Sequence, residues 1–344
     1  MILCARNDGY MGNSLWRLET ALNYVAHELE ALGRTHDVEV LVADWGSEIP
    51  LRDVVRLSEA AAAITSFLFV PSVVIQAVQQ DSIFAEVIAL NAAARRARGV
   101  YIGRIDQDTL VGKRFLAWLF DCYDRREQLL DVPLDSALLF SNRRTVPFWF
   151  ASMSPSLSHV QRLITLFGRR LDVLIRPGRP FWANWVGIWL VHRDRWRECG
   201  GYDERMLYMN DMETNMITRL AQRHAVVDLG VIVGFDFYHL EHKQPGDPRA
   251  TGERRRTNDA AFRRPTEFVV NDEHWGLAAY DLPVEPARVR SAGGRDEREL
   301  VTSSVTFVAH LLAAGIQAAL DRTKHLTIAM KMRQFYQSWR RRGR

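Results

Sequence analysis

Asp106 and Asp108 stand two residues apart, directly after the apolar run Val100–Ile105. Two carboxylates on a turn leaving a strand can point at one hard cation and hold it through oxygen, with a diphosphate completing the shell. The same pair on an ordinary turn only faces water, so the preceding strand is what gives it weight. A second group is Gly200-Gly201-Tyr202-Asp203-Glu204, then Asn210-Asp211-Met212-Glu213 where a helical pattern opens. Acids at that point cap a helix and complement its dipole. A carboxylate at the lip of a crevice would equally take a proton from an incoming hydroxyl. The third group is His239-Leu240-Glu241-His242. A neutral imidazole suits a manganese-like ion as a third protein ligand, and a satisfied surface histidine is the plain alternative. Two histidines three apart also suggest zinc, but no matching cysteine or histidine pair lies nearby.

The elements that must position these groups follow from hydrophobic spacing. Met1–Ala5 reads as a strand broken at Asp8-Gly9, and Leu15, Leu18, Leu22, Val25, Leu29 and Leu32 give a helix ending at Gly33. Val38–Ala43 and Phe67–Val70 read as strands, 84–97 as a helix, and Val100–Ile105 as a fourth strand. Such alternation predicts an α/β fold with a largely parallel sheet, whose ligands bind beyond the carboxyl ends of the strands. Asn7-Asp8, Asp44 with Ser47, and Asp106 with Asp108 each close a strand, so they are expected to meet in one crevice. Later come a helix over 113–126, strands over 187–192 and 231–238, and a helix over 211–223. The polar, breaker-rich stretch 243–266 predicts the end of the compact core.

A chain of 344 residues allows one large domain with an appendage. With 47% hydrophobic and 25% charged residues it is neither disordered nor fibrous. Cys4, Cys122 and Cys199 are too few and scattered for a disulfide framework, and the N-terminus lacks a cleaved export signal, so a cytoplasmic, reducing setting is expected. The charge-free stretches 60–80 and 300–320 are interrupted by polar residues and are read as a strand with a loop and as a helix, not as membrane spans. Residues 324–344 carry seven Lys/Arg and no acid, which leaves 38 basic against 41 acidic residues elsewhere. A body with no basic surplus argues against a nucleic-acid binder. The tail, with Leu326, Met330, Phe335 and Trp339 among its cations, fits a peripheral contact with an anionic membrane face or simply a solvated surface.

In chain order these motifs are Arg6-Asn7-Asp8, Asp44-x-Gly46-Ser47, Asn91, Ala97-x-Gly99-x-Tyr101-Ile102, Asp106-x-Asp108, Gly200–Glu204, Asn210-Asp211 and His239. The succession resembles the nucleotide-sugar glycosyltransferases of the GT-A fold, most closely glycosyltransferase family 2, over about residues 1–245. The resemblance implies a Rossmann-like, mostly parallel mixed sheet flanked by helices. It places a nucleotide-binding half over 1–110 and an acceptor half over 111–245, with 246–344 as a helical C-terminal extension ending in the basic amphipathic tail. It implies an inverting hexosyltransferase that uses a UDP- or GDP-type sugar, Mn²⁺ or Mg²⁺, and a glycan or lipid-linked acceptor. Asp44 would accept from the nucleobase, with Ala5, Arg6, Asn7, Ser47 and Asn91 on the donor side. Asp106 would reach the ribose or bridge to the metal, Asp108 would ligate it, and His239 would add a contact. Asp211 would be the base, with Glu213 the second candidate. Trp149, Trp182 and Trp185, near Phe150, would face the acceptor or pack in the core. Trp45 and Asn210 depart from the family's usual acids, which keeps a catalytically silent nucleotide- or glycan-binding scaffold in view. A nucleotidyltransferase would want a glycine-rich basic loop, and near the first strand there is only Arg6. No Gln/Arg-x-x-Arg-Trp motif or membrane span is evident, so transfer of one or a few sugars by a soluble enzyme is expected rather than processive synthesis.

Overall fold

The computed structural model describes residues 1–125, 128–129, 132–173, 186–208, 210–242 and 257–290. Its strands are β1 Ile2–Ala5, β2 Val40–Trp45, β3 Thr65–Val70, β4 Tyr101–Arg104, β5 Thr109–Val111, β6 Gln128–Leu129, β7 Val132–Pro133, β8 Ala137–Asn142, β9 Arg144–Val146, β10 Val186–His192, β11 Ala225–Asp228, β12 Phe237–Leu240 and β13 Val284–Pro286. The α-helices are α1 Ser14–Glu30, α2 Leu51–Val54, α3 Glu59–Ile64, α4 Ser72–Val78, α5 Glu86–Arg96, α6 Lys113–Arg125, α7 Phe148–Ala151, α8 Leu157–Phe167, α9 Arg193–Glu198, α10 Met212–Leu220 and α11 Leu229–Ile232.

Eight strands form one sheet in the order β11-β8-β10-β4-β1-β2-β3-β13. The pairings run six of them in one direction, with β10 and β13 opposed. Every residue of β2 is buried, as expected of a strand covered by helices on both faces. Ile2 and Leu3 accordingly point into different cores. On one face Ile2, Ala43 and Trp45 pack with α5, α9 and α10; on the other Leu3, Val40 and Val42 meet Leu18, Leu22, Val25 and Leu29 of α1. The expected α/β class and mostly parallel mixed sheet are what the structure has. A smaller sheet, β5-β12-β9, leans on the carboxyl-end side and carries the histidine motif.

Three expectations change. The stretch 231–238 is not one strand: Asp228 accepts from Gly230 N at 2.7 Å and starts α11, Gly234 turns the chain at φ 73°, and only then does β12 begin. The loop expected after β3 contains α4, opened by Pro71. The compact unit also runs to Ser291 rather than stopping near 245. Segment 257–290 returns to the body because β13 pairs with β3, Trp275, Leu277 and Leu282 enter the core, and Arg96 donates to the carbonyls of Gly276, Leu277, Tyr280 and Leu282. The second unit, 292–344, lies outside the described residues, and with it the expected 300–320 helix and basic tail. No described helix is long and apolar enough to cross a membrane.

Candidate active site

Asp108 ends the turn between β4 and β5, where Thr109 N donates to the Asp106 carbonyl at 3.1 Å. In the small sheet His239 pairs with Thr109, and Leu240 N donates to the Asp108 carbonyl at 3.0 Å, so the histidine motif is laid against the acid by backbone bonds. His239 Nδ1 is 3.0 Å from Asp108 Oδ1, and His242 Nδ1 is 3.1 Å from Oδ2. All three side chains are buried, and one donor atom from each falls within 4.8 Å of the others. His242 Nδ1, enclosed, makes no hydrogen bond of good geometry, which is the condition of a nitrogen suited to a metal. Two imidazoles and one carboxylate suit a divalent transition ion, so the donor set fits. Burial alone would raise the Asp108 carboxyl, but His239 and His242 outweigh it and hold it well below the ordinary range. Burial and Arg143 lower His239, which keeps that imidazole neutral and able to coordinate.

Asp106 is engaged differently. Arg104 approaches its Oδ1 at 2.6 Å and Arg143 contacts Oδ2, and against the pull of burial these two guanidiniums lower its pKa. The same Arg104 nitrogen reaches Glu86 at 2.8 Å and Glu213 at 3.0 Å. Glu86 opens α5 and Glu213 opens α10, so two helix starts and the end of β4 bring three carboxylates to one buried cation. Burial pushes the Glu86 carboxyl up to about 7, with Glu213 and Asp106 adding to it and Arg104 opposing.

The remaining expected residues divide. Asp44 lies in β2 and is turned inward: Oδ1 accepts from the Ser47 amide at 3.2 Å and from its hydroxyl, and Oδ2 accepts from Leu51 N at 2.7 Å. Ser47 Oγ in turn accepts from Asn7 N at 2.8 Å, which ties the β1 and β2 loops together. Ala5 is buried beneath them, Asn7 reaches the Ile49 carbonyl, and Arg6 lies over Phe84 while bonded to Asp8 and the Ile83 carbonyl. Asn91 is fully buried in α5 and clamps the glycine turn, accepting from Tyr202 N at 2.8 Å and donating to Tyr202 O and Glu204 at 2.9 Å. Asn210 and Asp211 both sit at positive φ, 79° and 64°, a cost concentrated where a loop is held for a purpose. Asp211 accepts from Arg263 Nε at 2.7 Å with its side chain 5% exposed. Trp149, half-buried in α7, packs edge-on against Phe150; Trp182 and Trp185 lie outside the described residues.

The structure thus brings Asp106, Asp108, His239 and Glu213 together and adds His242, Glu86, Arg17, Arg104 and Arg143. The spacing of His239 and His242 was the available signal for the second ligand; the three arginines carried none.

No family model and no curated protein matches the chain. Among solved structures it is similar to S. aureus TarS 1-349 in complex with UDP, at 11% identity and TM-score 0.43 over 69% of this chain and 58% of that one. It is also similar to the catalytic domain of Drosophila beta1,4-galactosyltransferase 7 with xylobiose, at 12% identity and TM-score 0.37 over 76% and 81%. A third is galactosyltransferase LgtC with donor and acceptor sugar analogs, at 13% identity and TM-score 0.37 over 69% and 85%. The chain spans 36% to 59% of the TarS chains it is similar to.

Proposed function

We propose that the chain is a metal-dependent glycosyltransferase that takes a sugar from a UDP- or GDP-type donor and passes it, with inversion, to an acceptor hydroxyl. The observation that carries the reading is the buried Asp108–His239–His242 cluster at the carboxyl ends of a mostly parallel sheet, with Asp106 two positions before Asp108. A divalent ion bound there would neutralise the charge that develops on the departing diphosphate. Asp108, His239 and His242 would hold that ion. Asp106, kept ionised between Arg104 and Arg143, would face the ribose or the donor sugar.

Glu213 is the base we favour over Asp211. Its carboxylate shares an Arg104 nitrogen with Asp106 and is 19% exposed, whereas Asp211 is spent on Arg263. One base facing the donor from the side opposite the leaving group accounts for inversion. Asp44 would shape the nucleobase pocket through Ser47 and Asn7 rather than by its own oxygens. The acceptor is a glycan near Trp149, and residues 324–344 would bring the protein to the cytoplasmic face of a membrane if that acceptor is lipid-linked.

Thermal denaturation with UDP or GDP, with and without Mn²⁺, tests the reading. A ligand at a hundred times its Kd stabilises the native state by about 2.7 kcal/mol. The expected result is a rise in Tm that needs Mn²⁺ and vanishes in Asp108→Ala, with slow Mn²⁺-dependent hydrolysis of the matching nucleotide sugar. No shift with any nucleotide diphosphate at millimolar concentration would refute it.

A further inference from the structure

Arg17 is a fully buried cation that the reaction above does not use. It stands in the first turns of α1, where Nη1 donates to Asn13 Oδ1 at 2.9 Å and Nη2 to the Tyr10 carbonyl at 2.9 Å. Both partners belong to the loop that follows β1, and both are neutral. Nε, enclosed and without a hydrogen bond, points to Asp108 Oδ2 at 3.5 Å. Asn13 is itself fixed, donating to the Ala151 carbonyl at 2.8 Å and Ser154 Oγ at 2.9 Å. The guanidinium therefore has no room to swing into solvent. A buried cation of this kind requires a counter-ion, and Asp108 supplies it.

Asp108 is thus shared. Its Oδ1 meets His239, and its Oδ2 lies between His242 of the proposed metal centre and Arg17. We infer that Arg17 is the resident counter-cation of that centre: it holds the Asp108 carboxylate in place before a metal arrives, and it opposes the metal's entry. The inference rests on the metal-centre reading above. Two cations against one carboxylate repel in a low-dielectric interior, and neither the loop nor the helix lets Arg17 retreat. The arrangement makes Mn²⁺ alone a weak ligand, whereas a nucleotide diphosphate brings the negative charge that offsets the excess. Arg17 in this way couples metal uptake to donor binding. It is a positioning residue, touching neither donor nor acceptor.

Mn²⁺ titration of the full chain without nucleotide, by calorimetry and by the electron paramagnetic resonance of free Mn²⁺, tests the inference. Arg17→Met and Arg17→Gln are expected to melt lower without metal and yet to bind Mn²⁺ roughly tenfold tighter or more, while Arg17→Lys stays near wild type. The gain in Mn²⁺ affinity that UDP gives wild type should shrink in the two neutral variants. A role confined to packing would lower Tm without tightening Mn²⁺. Equal or weaker Mn²⁺ binding in both neutral variants, beside normal binding in wild type, overturns the role of Arg17 and leaves the metal centre standing. Wild-type protein that takes up no Mn²⁺ even with saturating UDP or GDP overturns both. Should neither neutral variant fold, Arg17→Lys decides: wild-type affinity agrees with the inference, and a tenfold change overturns it.

Discussion

Arg104→Met removes the cation on which three carboxylates converge. The Arg104 side chain is 4% exposed, and one of its nitrogens lies 2.6 Å from Asp106, 2.8 Å from Glu86 and 3.0 Å from Glu213. Asp106 keeps Arg143, so the uncompensated pair is Glu86 and Glu213. Two carboxylates about 5 Å apart repel by roughly 3 kcal/mol at an effective dielectric of about 20. Breaking a buried ion pair from one side costs about 3–5 kcal/mol, so a loss of about 4 kcal/mol at about pH 8 is expected. The loss should depend on pH. The folded-state pKa of Glu86, raised to about 7 by burial and then by Glu213 and Asp106, already exceeds its ordinary 4.5 against the opposing pull of Arg104. Without Arg104 it rises further. Between the unfolded and folded values the native state holds more protons than the unfolded one, so stability falls as pH rises across that window. At about pH 5.5 Glu86 is protonated in wild type and variant alike, so the part of the loss that comes from its charge, about 1.4 kcal/mol for the unit between 7 and 8, disappears and about 3 kcal/mol remains. Urea unfolding followed by tryptophan fluorescence at both pH values measures this. Equal losses at the two pH values, or a loss under about 1 kcal/mol at the higher one, would refute the reasoning.

Three further outcomes are expected. His242→Ala should weaken Mn²⁺ binding by about 10–100-fold with little change in Tm, and unchanged affinity in calorimetry would return the ligand role to Asp106. Glu213→Gln should lower kcat by about 100-fold or more with donor KM near wild type, while Asp211→Asn should fall less, since its carboxylate serves Arg263; the reverse ranking would restore Asp211 as base. Asn91→Ala should cost about 2–3 kcal/mol, because it strands Tyr202 N and leaves Tyr202 O to Asn271 and the Glu204 carboxylate to Gly276 N; a loss below about 1 kcal/mol by denaturation would show that the turn holds itself.

Much of this was legible before any coordinates, for a local reason. Leu18, Leu22, Val25 and Leu29 repeat at helical spacing, and Val100–Ile105 ends abruptly in acids, so α1, β4 and the crevice at the strand ends follow from short-range pattern. The 231–238 stretch misled because Val231 and Val233 read as strand, while the capping Asp228 and the Gly234 turn act on the backbone before side-chain pattern is consulted. Polar partners were least legible. Nothing in Asp44-x-Gly46-Ser47 says whether the carboxylate faces a ligand or its own loop, and the structure turns it to Ser47 and Leu51. Asn91 finds Tyr202 across 111 positions, and Asp108 finds His239 across 131. Spacing picks out the acids because they share a turn. It leaves out Arg17, Arg104 and Arg143, which arrive from a helix, a strand and a strand end.

Those arginines decide what charge the crevice accepts. Glu86, Asp106, Asp108 and Glu213 face Arg17, Arg104 and Arg143, and once Glu86 ionises above about pH 7 the four carboxylates exceed the three guanidiniums by a single charge. A bare diphosphate would meet repulsion in such a crevice. A divalent cation at Asp108 would reverse the sign and admit it, and Arg17 would hold that cation's affinity low until the diphosphate is present. On the proposed reaction the leaving diphosphate carries more negative charge than the donor did, because the bond to the sugar is gone. The same four carboxylates then favour its departure. The three arginines set the balance on both sides of the reaction: enough positive charge to keep the acids ordered, and too little to retain the product.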